Sequence, residues 1–340
     1  RLSHDDASLL AYGAESGDGY FRRALANLLT EHYHKPVDAD DLFVTAGASQ
    51  GIDLICTLFT KPGDTIFVEE PSYFLALNIF RDHGLNIIGL PMDEDGLIVE
   101  ALEENLAQHD PAFLYTIPTF HNPASITLSA ARRERLVQLS QEHNLLFVAD
   151  EVYHLLAYDT TPPEPLANYT DAGTIFSIGS FSKILAPGLR LGWIQANQDL
   201  LRRLVKSGLL ESGGGLNPFT SKLVQSALEL GLQLDHLNNL KTVYGKRMSF
   251  LSDALRRHLG SSASFSEPNG GFFIWLRLPE QIDAEALLSE ARQHNVGFQP
   301  GIKFSSRQNH KNYIRLCFSF YDTPVLETAA GRLADVLGNH

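Results

Sequence analysis

The stretch Thr174-Ile-Phe-Ser-Ile178-Gly-Ser-Phe-Ser-Lys183-Ile-Leu-Ala-Pro187-Gly-Leu-Arg190-Leu-Gly-Trp193 joins two different kinds of sequence. It opens as an apolar run, Thr174–Ile178, of the kind buried on both faces of a mostly parallel sheet. It then sets one lysine among serines, glycines and apolar residues. A lysine on a solvated helix face usually has charged neighbours, and Lys183 has none nearby. Pro187 and Gly188 interrupt any regular helix behind it, and a second apolar run, Leu191–Ala196, follows. The segment offers an amine, two hydroxyls and a guanidinium within about a dozen residues. That inventory suits an anionic ligand that also carries an aldehyde.

Upstream, the same alternation repeats. Strand candidates are Leu42–Thr45, Thr65–Glu69, Asn86–Pro91, Phe113–Ile117 and Leu145–Ala149, which with the two runs above make seven. Helical patterns at Gln50–Phe59, Phe74–Asp82, Ile98–His109 and Ser129–His143 fall between them, the last with Ser129 placed as an N-cap. This pattern predicts a three-layer α/β domain with a mostly parallel sheet. After Leu200 the character changes. Arg202–Leu210 reads as helix, Gly213-Gly-Gly215 as a break, and Pro218–Leu259 as long helical segments. Strands at Gly271–Leu278, Val296–Gln299 and Tyr313–Ser319 among helices predict a smaller α+β unit. The expected division is 1–240 and 241–340, with the boundary in or beside a long helix.

Length and composition agree with this. The 340 residues suffice for one large and one small domain, and 44% hydrophobic with 20% charged residues is an ordinary globular composition. A net charge of −13 without a basic run argues against nucleic acid as a partner. No apolar run is long enough to span a membrane. Only Cys56 and Cys317 are present, one in a helical and one in a strand pattern, so a disulfide is not expected and a reducing, cytoplasmic setting is.

Ligands of open α/β sheets bind at the carboxyl ends of the strands. Four loops at such ends carry polar groups: Gly47-Ala-Ser-Gln50, Pro118-Thr-Phe-His-Asn122-Pro123, Asp150-Glu-Val-Tyr153 and Gly179-Ser-Phe-Ser-Lys183. Taken singly, each has a bland reading. The glycine turn could be a plain strand-to-helix turn, Asp150 a helix cap or salt bridge, Tyr153 a core residue, Asn122-Pro123 a turn and Lys183 a surface lysine. Their coincidence on one sheet edge is the signal. His32-x-His34 offers metal only a weak pair and reads as solvated, so no metal site is expected. Gly47-x-x-x-Gly51 after a strand could open a short-chain dehydrogenase, but none of the eleven tyrosines has a lysine four residues on.

The chain resembles fold-type I pyridoxal-phosphate (PLP) enzymes, specifically class I/II aminotransferases of the 2-aminoadipate/kynurenine type. The resemblance covers essentially the whole chain. It rests on Pro-Gly-Asp64 with Val68-Glu-Glu-Pro-Ser-Tyr73, Asn122-Pro123, Asp150-x-x-Tyr153 and Ser180-x-Ser-Lys183-x6-Arg190. It rests further on Ser212-Gly-Gly-Gly-Leu-Asn217, Gly270-Gly271, Pro300-Gly301 and Ile314-Arg315-Leu316. It implies a PLP-transferase fold and a Schiff base between Lys183 and PLP. Ser180, Ser182 and Arg190 become phosphate ligands, together with Ala48, Ser49 and Gln50. Asp150 pairs with the ring nitrogen, Tyr153 and Asn122 bond the phenolic oxygen, and Tyr73 stacks on the ring. Arg315 becomes the α-carboxylate clamp, with Asn122 and Gly13 beside the substrate. The alternative for Arg315 is an ion pair inside the small domain. Tyr12, in Leu10-Ala-Tyr-Gly13, resembles a tyrosine that reaches the PLP phosphate of a neighbouring subunit, which implies a homodimer with shared sites.

The chain departs from the family in having Asn122-Pro-Ala-Ser125 for Asn-Pro-Thr-Gly and Gly47-Ala-Ser-Gln50 for Gly-Ser-Gln-Gln. No counterpart of the family's N-terminal arm, which helps cover the substrate, is identified in these residues. The expected reaction moves an amino group from an L-amino acid to a 2-oxo acid, with 2-oxoglutarate the expected acceptor. A PLP-dependent lyase or decarboxylase would use the same residues, and a regulator's effector-binding module would keep PLP without turnover.

Overall fold

The computed structural model describes residues 12–338. Its large sheet has eight strands: β1 (Leu42–Thr45), β2 (Thr65–Glu70), β3 (Asn86–Asp93), β4 (Gly96–Leu97), β5 (Phe113–Thr116), β6 (Leu146–Asp150), β7 (Ile175–Ser180) and β8 (Gly192–Gln195). They lie in the order β1-β8-β7-β6-β5-β2-β3-β4. The seven expected strands are all present, and the two-residue β4 adds an eighth. The central pairs from β3 through β2, β5 and β6 to β7 are parallel. Only β8, between β7 and β1, and the short β4 run against their neighbours. β1 and β7 therefore point the same way, and the carboxyl ends of β1, β5, β6 and β7 share one edge.

Burial explains the apolar runs. Every residue of β1, β5 and β7 is buried, and Phe113, Phe147 and Phe176 are fully so. Each such side chain contributes about 1.5–3 kcal/mol by leaving water. Gly179 is needed where β7 meets β8, because a Cβ there would stand 2.1 Å from the Trp193 indole.

The helices are α1 (Gly19–Tyr33), α2 (Ala48–Phe59), α3 (Phe74–Asp82), α4 (Val99–Leu106), α5 (Ala130–Glu142), α6 (Phe181–Ile184), α7 (Gln198–Val205), α8 (Gly208–Gly213), α9 (Pro218–Glu229), α10 (Leu232–Leu259), α11 (Ala284–Gln293) and α12 (Thr323–Leu337). Ser129 holds the N-cap position of α5, but its side chain makes no capping hydrogen bond. Gly231, in the left-handed region at φ 74°, separates α9 from α10. A second sheet, β10 (Gln299–Pro300), β11 (Tyr313–Cys317) and β9 (Phe273–Arg277), is antiparallel. It is packed by α10, α11 and α12 through Ile274, Leu276, Ile314 and Leu333. On α10, Leu237 belongs to the core of the large sheet, whereas Met248, Leu251 and Leu255 belong to that of the small one. No helix among the described residues is long and apolar enough to cross a membrane.

Candidate active site

The shared strand edge opens on a cleft of about 140 Å³. It is lined by Ala48 and Ser49 after β1, Tyr73 after β2, Asn122 after β5, Asp150 and Tyr153 at and after β6, and Ser180, Ser182, Lys183 and Arg190 after β7. Loops far apart in sequence converge there because five strand ends do.

Asp150 is the last residue of β6 rather than the first of the loop, and it is buried. Its Oδ2 accepts a hydrogen bond from the Tyr115 hydroxyl at 2.8 Å, while its Oδ1 has no partner. Burial lifts its carboxyl above the ordinary value, and the Tyr115 hydroxyl, the Val152 amide and the Lys183 charge work against that rise. A buried carboxylate oxygen without a donor is costly, and Oδ1 has the capacity to accept from an N–H group.

Lys183 lies in the single turn α6. Its Nζ stands 6.0 Å from the Tyr153 ring centre and 5.7 Å from that of Phe272. Burial pulls its amine below the ordinary lysine value, with Asp150 opposing. That shift favours the neutral, nucleophilic form. Tyr153 is buried between Lys183 and the rings of Phe272 and Phe273, and burial raises its phenol well above the ordinary value.

The other end of the cleft suits an anion. Gly47 caps α2 at φ 95°, a conformation L side chains rarely adopt, and makes no side-chain cap. A Cβ at that position would lie 2.8 Å from the Arg190 guanidinium. The first α2 amides therefore face the same space as Arg190, whose NH2 group contacts the Ala46 carbonyl at 3.3 Å. Free amides and the positive end of a helix dipole favour phosphate or carboxylate.

Three predicted residues behave differently in detail. Ser180 spends its hydroxyl locally, accepting from the Ser182 amide at 3.1 Å and donating to the Leu191 carbonyl at 3.4 Å. Gln50 does not line the cleft, because its side chain turns back to accept from the Ala46 amide at 3.2 Å. Gly13 pairs with Gly215 rather than lining the cleft, through a 3.0 Å bond from the Gly215 amide. The same loop approaches the site through Asn217, whose amide donates to the Arg190 carbonyl. Tyr12 is 87% exposed.

Arg315, on β11, reaches from the small sheet to Asn122 at the border of the cleft. Its guanidinium carbon lies 3.9 Å from the centre of the Phe273 ring and 4.9 Å from that of Phe304. One NH group donates to Asn122 Oδ1 at 2.7 Å, and buried Nε has no partner. No carboxylate pairs with it, which removes the ion-pair alternative among the described residues. A larger cavity of about 840 Å³ opens between α10, α12 and the edge of β11, with Arg315 among its lining residues. It is mostly apolar and contains neither Lys183 nor Asp150, so the smaller cleft is where the chemistry collects.

Behind the cleft lies a buried network that sequence reasoning missed. Glu69 accepts from Thr116 Oγ1 at 2.8 Å and the Ile117 amide at 2.7 Å, and His121 Nε2 stands 3.1 Å away. Fully buried Arg133 donates to the carbonyls of Pro118 and Leu128 and to Thr119 Oγ1. Together they hold both ends of the loop that carries Asn122.

A family model, aminotransferase class I and II, matches residues 2–333. The chain is 33% identical to aromatic-amino-acid aminotransferase 1 of Thermococcus litoralis, over 99% of this chain and 82% of that protein. It superposes on the kynurenine aminotransferase of Pyrococcus horikoshii, solved with PMP, at a TM-score of 0.93 and 30% identity, covering 99% of this chain and 84% of that one. The α-aminoadipate aminotransferase of Thermus thermophilus, solved with N-(5'-phosphopyridoxyl)-L-leucine, gives 0.91 and 29%, covering 99% and 86%. These relatives lend no support to the lyase or decarboxylase alternative. The chain belongs to the aminotransferase class I and II family and is a pyridoxal-phosphate-dependent aminotransferase.

Proposed function

We propose that Lys183 carries the cofactor and that the amino group passes between an L-amino acid and a 2-oxo acid at the cleft around it. The observation that carries this is the pairing, in one cleft, of a lysine drawn toward neutrality with a carboxylate that has one bare oxygen. The residues fit PLP. Asp150 Oδ1 is free to accept from a ring N–H. Arg190, Ser182 and the amides of Ala48, Ser49 and Gln50 are grouped for a phosphate. Tyr73 borders the cleft to cover one ring face. Asn122 Oδ1 is taken by Arg315, which leaves its amide NH2 to donate, with Tyr153, to the phenolic oxygen. When bound, PLP supplies an aldehyde for amine attachment and a ring that withdraws electrons.

Each residue then has a task. Lys183, once its amine is free, would take the proton from the substrate Cα and deliver it to the carbon on the far side of the transferred nitrogen, as a positioned general base and acid. Asp150 keeps its charge beside the ring nitrogen. Arg315 holds the substrate α-carboxylate with its unpartnered Nε, and the Phe273 and Phe304 rings keep water from the guanidinium. Borohydride reduction of the holoprotein should fix the cofactor on the peptide containing Lys183. Lys183→Ala should lose both the adduct and turnover, and label on another lysine would refute the assignment.

We further propose a homodimer with shared sites. Tyr12 lies beside the Gly213–Asn217 loop through the Gly13–Gly215 bridge, and exposed Tyr20, Leu209, Phe219 and Leu223 give this side an apolar surface. A monomer by light scattering at micromolar concentration would overturn it. We propose the boundary between large and small domains in α10 near residue 240, and the passage of that helix from one core to the other supports it. Two unpaired cysteines support a reducing, cytoplasmic setting.

A further inference from the structure

The roles above use one oxygen of Asp150. The other, Oδ2, accepts the Tyr115 hydroxyl at 2.8 Å between two buried residues. The contact follows from the sheet. Tyr115 pairs with Val148 across the parallel strands β5 and β6, and Asp150, two residues on, shares that face. We propose that Tyr115 is a positioning residue acting through Asp150: its hydroxyl makes the carboxylate a weaker base, so the proton shared with the cofactor's ring nitrogen rests on the nitrogen. This rests on the reading of Asp150 given above.

The alternative is that Tyr115 merely packs. Its ring does pack, 5.3 Å from Phe80 in an edge-on arrangement, but a phenylalanine would do that as well. The hydroxyl is the part that needs a reason. Burial and the neighbouring Asp150 hold the Tyr115 phenol well above its ordinary value, so it stays protonated and acts as donor. The other charged or titratable groups acting on Asp150 are Lys183, His121, Tyr73 and Tyr153. His121 is turned elsewhere: its Nδ1 accepts from the Ala124 amide at 3.2 Å, which places the ring proton on Nε2, 3.1 Å from Glu69. Tyr115 is thus the side chain hydrogen-bonded to Asp150 among the described residues. A carboxylate that accepts a hydrogen bond is stabilised as the anion and surrenders a shared proton more readily. Without that bond, the proton would retreat from the nitrogen to Asp150 and the ring would withdraw electrons less.

The test uses holoprotein loaded with PLP carrying ¹⁵N in the ring. The wild-type ring-nitrogen resonance should be that of a protonated pyridine, and Tyr115→Phe should move it toward the unprotonated, hydrogen-bonded position. In parallel, apoprotein is titrated with PLP and with an analogue that has CH in place of the ring nitrogen. Tyr115→Phe should weaken PLP about tenfold and leave the analogue unchanged. An unmoved nitrogen resonance overturns the proposal. So does an equal loss of both ligands, which is what misfolding or displaced packing would give. Absence of a Lys183 adduct in wild-type protein would break the underlying reading instead, and it is read separately by peptide mapping.

Discussion

Asp150 and Glu151 are adjacent in sequence, both buried, and chemically almost alike, yet the fold treats them in opposite ways. Glu151 faces the back of the sheet edge, where the amides of Leu166 and Ala167 and the Ser177 hydroxyl donate to it at 2.7–3.0 Å. Arg133 stands 3.9 Å off. Asp150 faces the cleft with Tyr115 as its side-chain donor and Oδ1 without a side-chain partner. Burial raises both carboxyls, but only Glu151 is compensated at both oxygens. The same contrast holds for the two buried arginines. Arg133 has its NH groups bonded to carbonyls and Thr119, whereas Arg315 keeps Nε unpartnered. A folded protein satisfies buried polar groups unless something else is to satisfy them. In both pairs the member beside the cleft is the one left with an unpartnered atom.

The sharpest way to break this contrast is to remove the bare member. Asp150→Ala should still accept PLP at Lys183 but lose about 3–5 kcal/mol of the buried pair, or roughly 10²–10⁴ in kcat. Single-turnover measurement of the amino-acid half-reaction checks this, and near-normal kcat would end the assignment. Arg315→Ala should come next, with about 2–5 kcal/mol lost in kcat/KM for amino-acid and oxo-acid substrates alike. PLP content should not change. Amines lacking a carboxylate should be indifferent, so equal losses for both kinds of substrate would remove the clamp role.

The satisfied member should respond in stability instead. Glu151→Gln puts an NH2 group against donors that expect an oxygen, and leaves Arg133 without its charge partner. The expected cost is about 1–3 kcal/mol in chemical denaturation, with little change in kcat for the folded fraction. A variant of full stability and poor turnover would show that the division between the two carboxylates has been drawn in the wrong place.

The contrast also explains what could be read from the residues alone. The strands were legible because runs such as Phe113–Ile117 are buried on both faces and so nearly continuous in apolar character. The cleft was legible because Asp150, Lys183 and Asn122 interrupt such runs at strand ends. The back network was not legible, since Arg133 sits in a helix where an arginine is ordinarily solvated, and its partners depend on tertiary packing. Tyr115 did leave a signal: a hydroxyl in a fully buried strand must find an acceptor, and strand parity relative to Asp150 would have named it once the pairing was known. Val296–Gln299 has the pattern of a strand, but pairing begins only at Gln299 and ends at Pro300, which has no N–H to extend the ladder. Ser180 and Gln50 show the remaining limit, because whether a hydroxyl or amide faces a ligand or its own backbone is settled by local geometry that composition does not carry.

The smallest expected effect concerns the apoprotein, where Lys183 stands beside Asp150 without cofactor. Burial depresses the lysine's folded value below the ordinary 10.5, so over the window between the two the unfolded chain binds more protons than the folded one. Stability contributed by this group should therefore be fully present above about 10.5 and fall as pH drops through the folded value. Asp150 contributes with the opposite sign and at the other end of the scale: its raised carboxyl stabilises below the ordinary 3.8, and that contribution is lost as pH rises through the folded value. The two windows do not coincide, so they can be separated by one substitution. Lys183→Met keeps a long apolar chain in the same space and removes the lysine's titration, together with its opposing pull on the Asp150 carboxyl. Denaturant midpoints of wild type and Lys183→Met, compared from neutral pH upward, should converge as the wild type gains on the variant. Parallel curves would mean that Lys183 is as freely solvated as any surface lysine, and the contrast between a satisfied back and an unsatisfied cleft would lose its central residue.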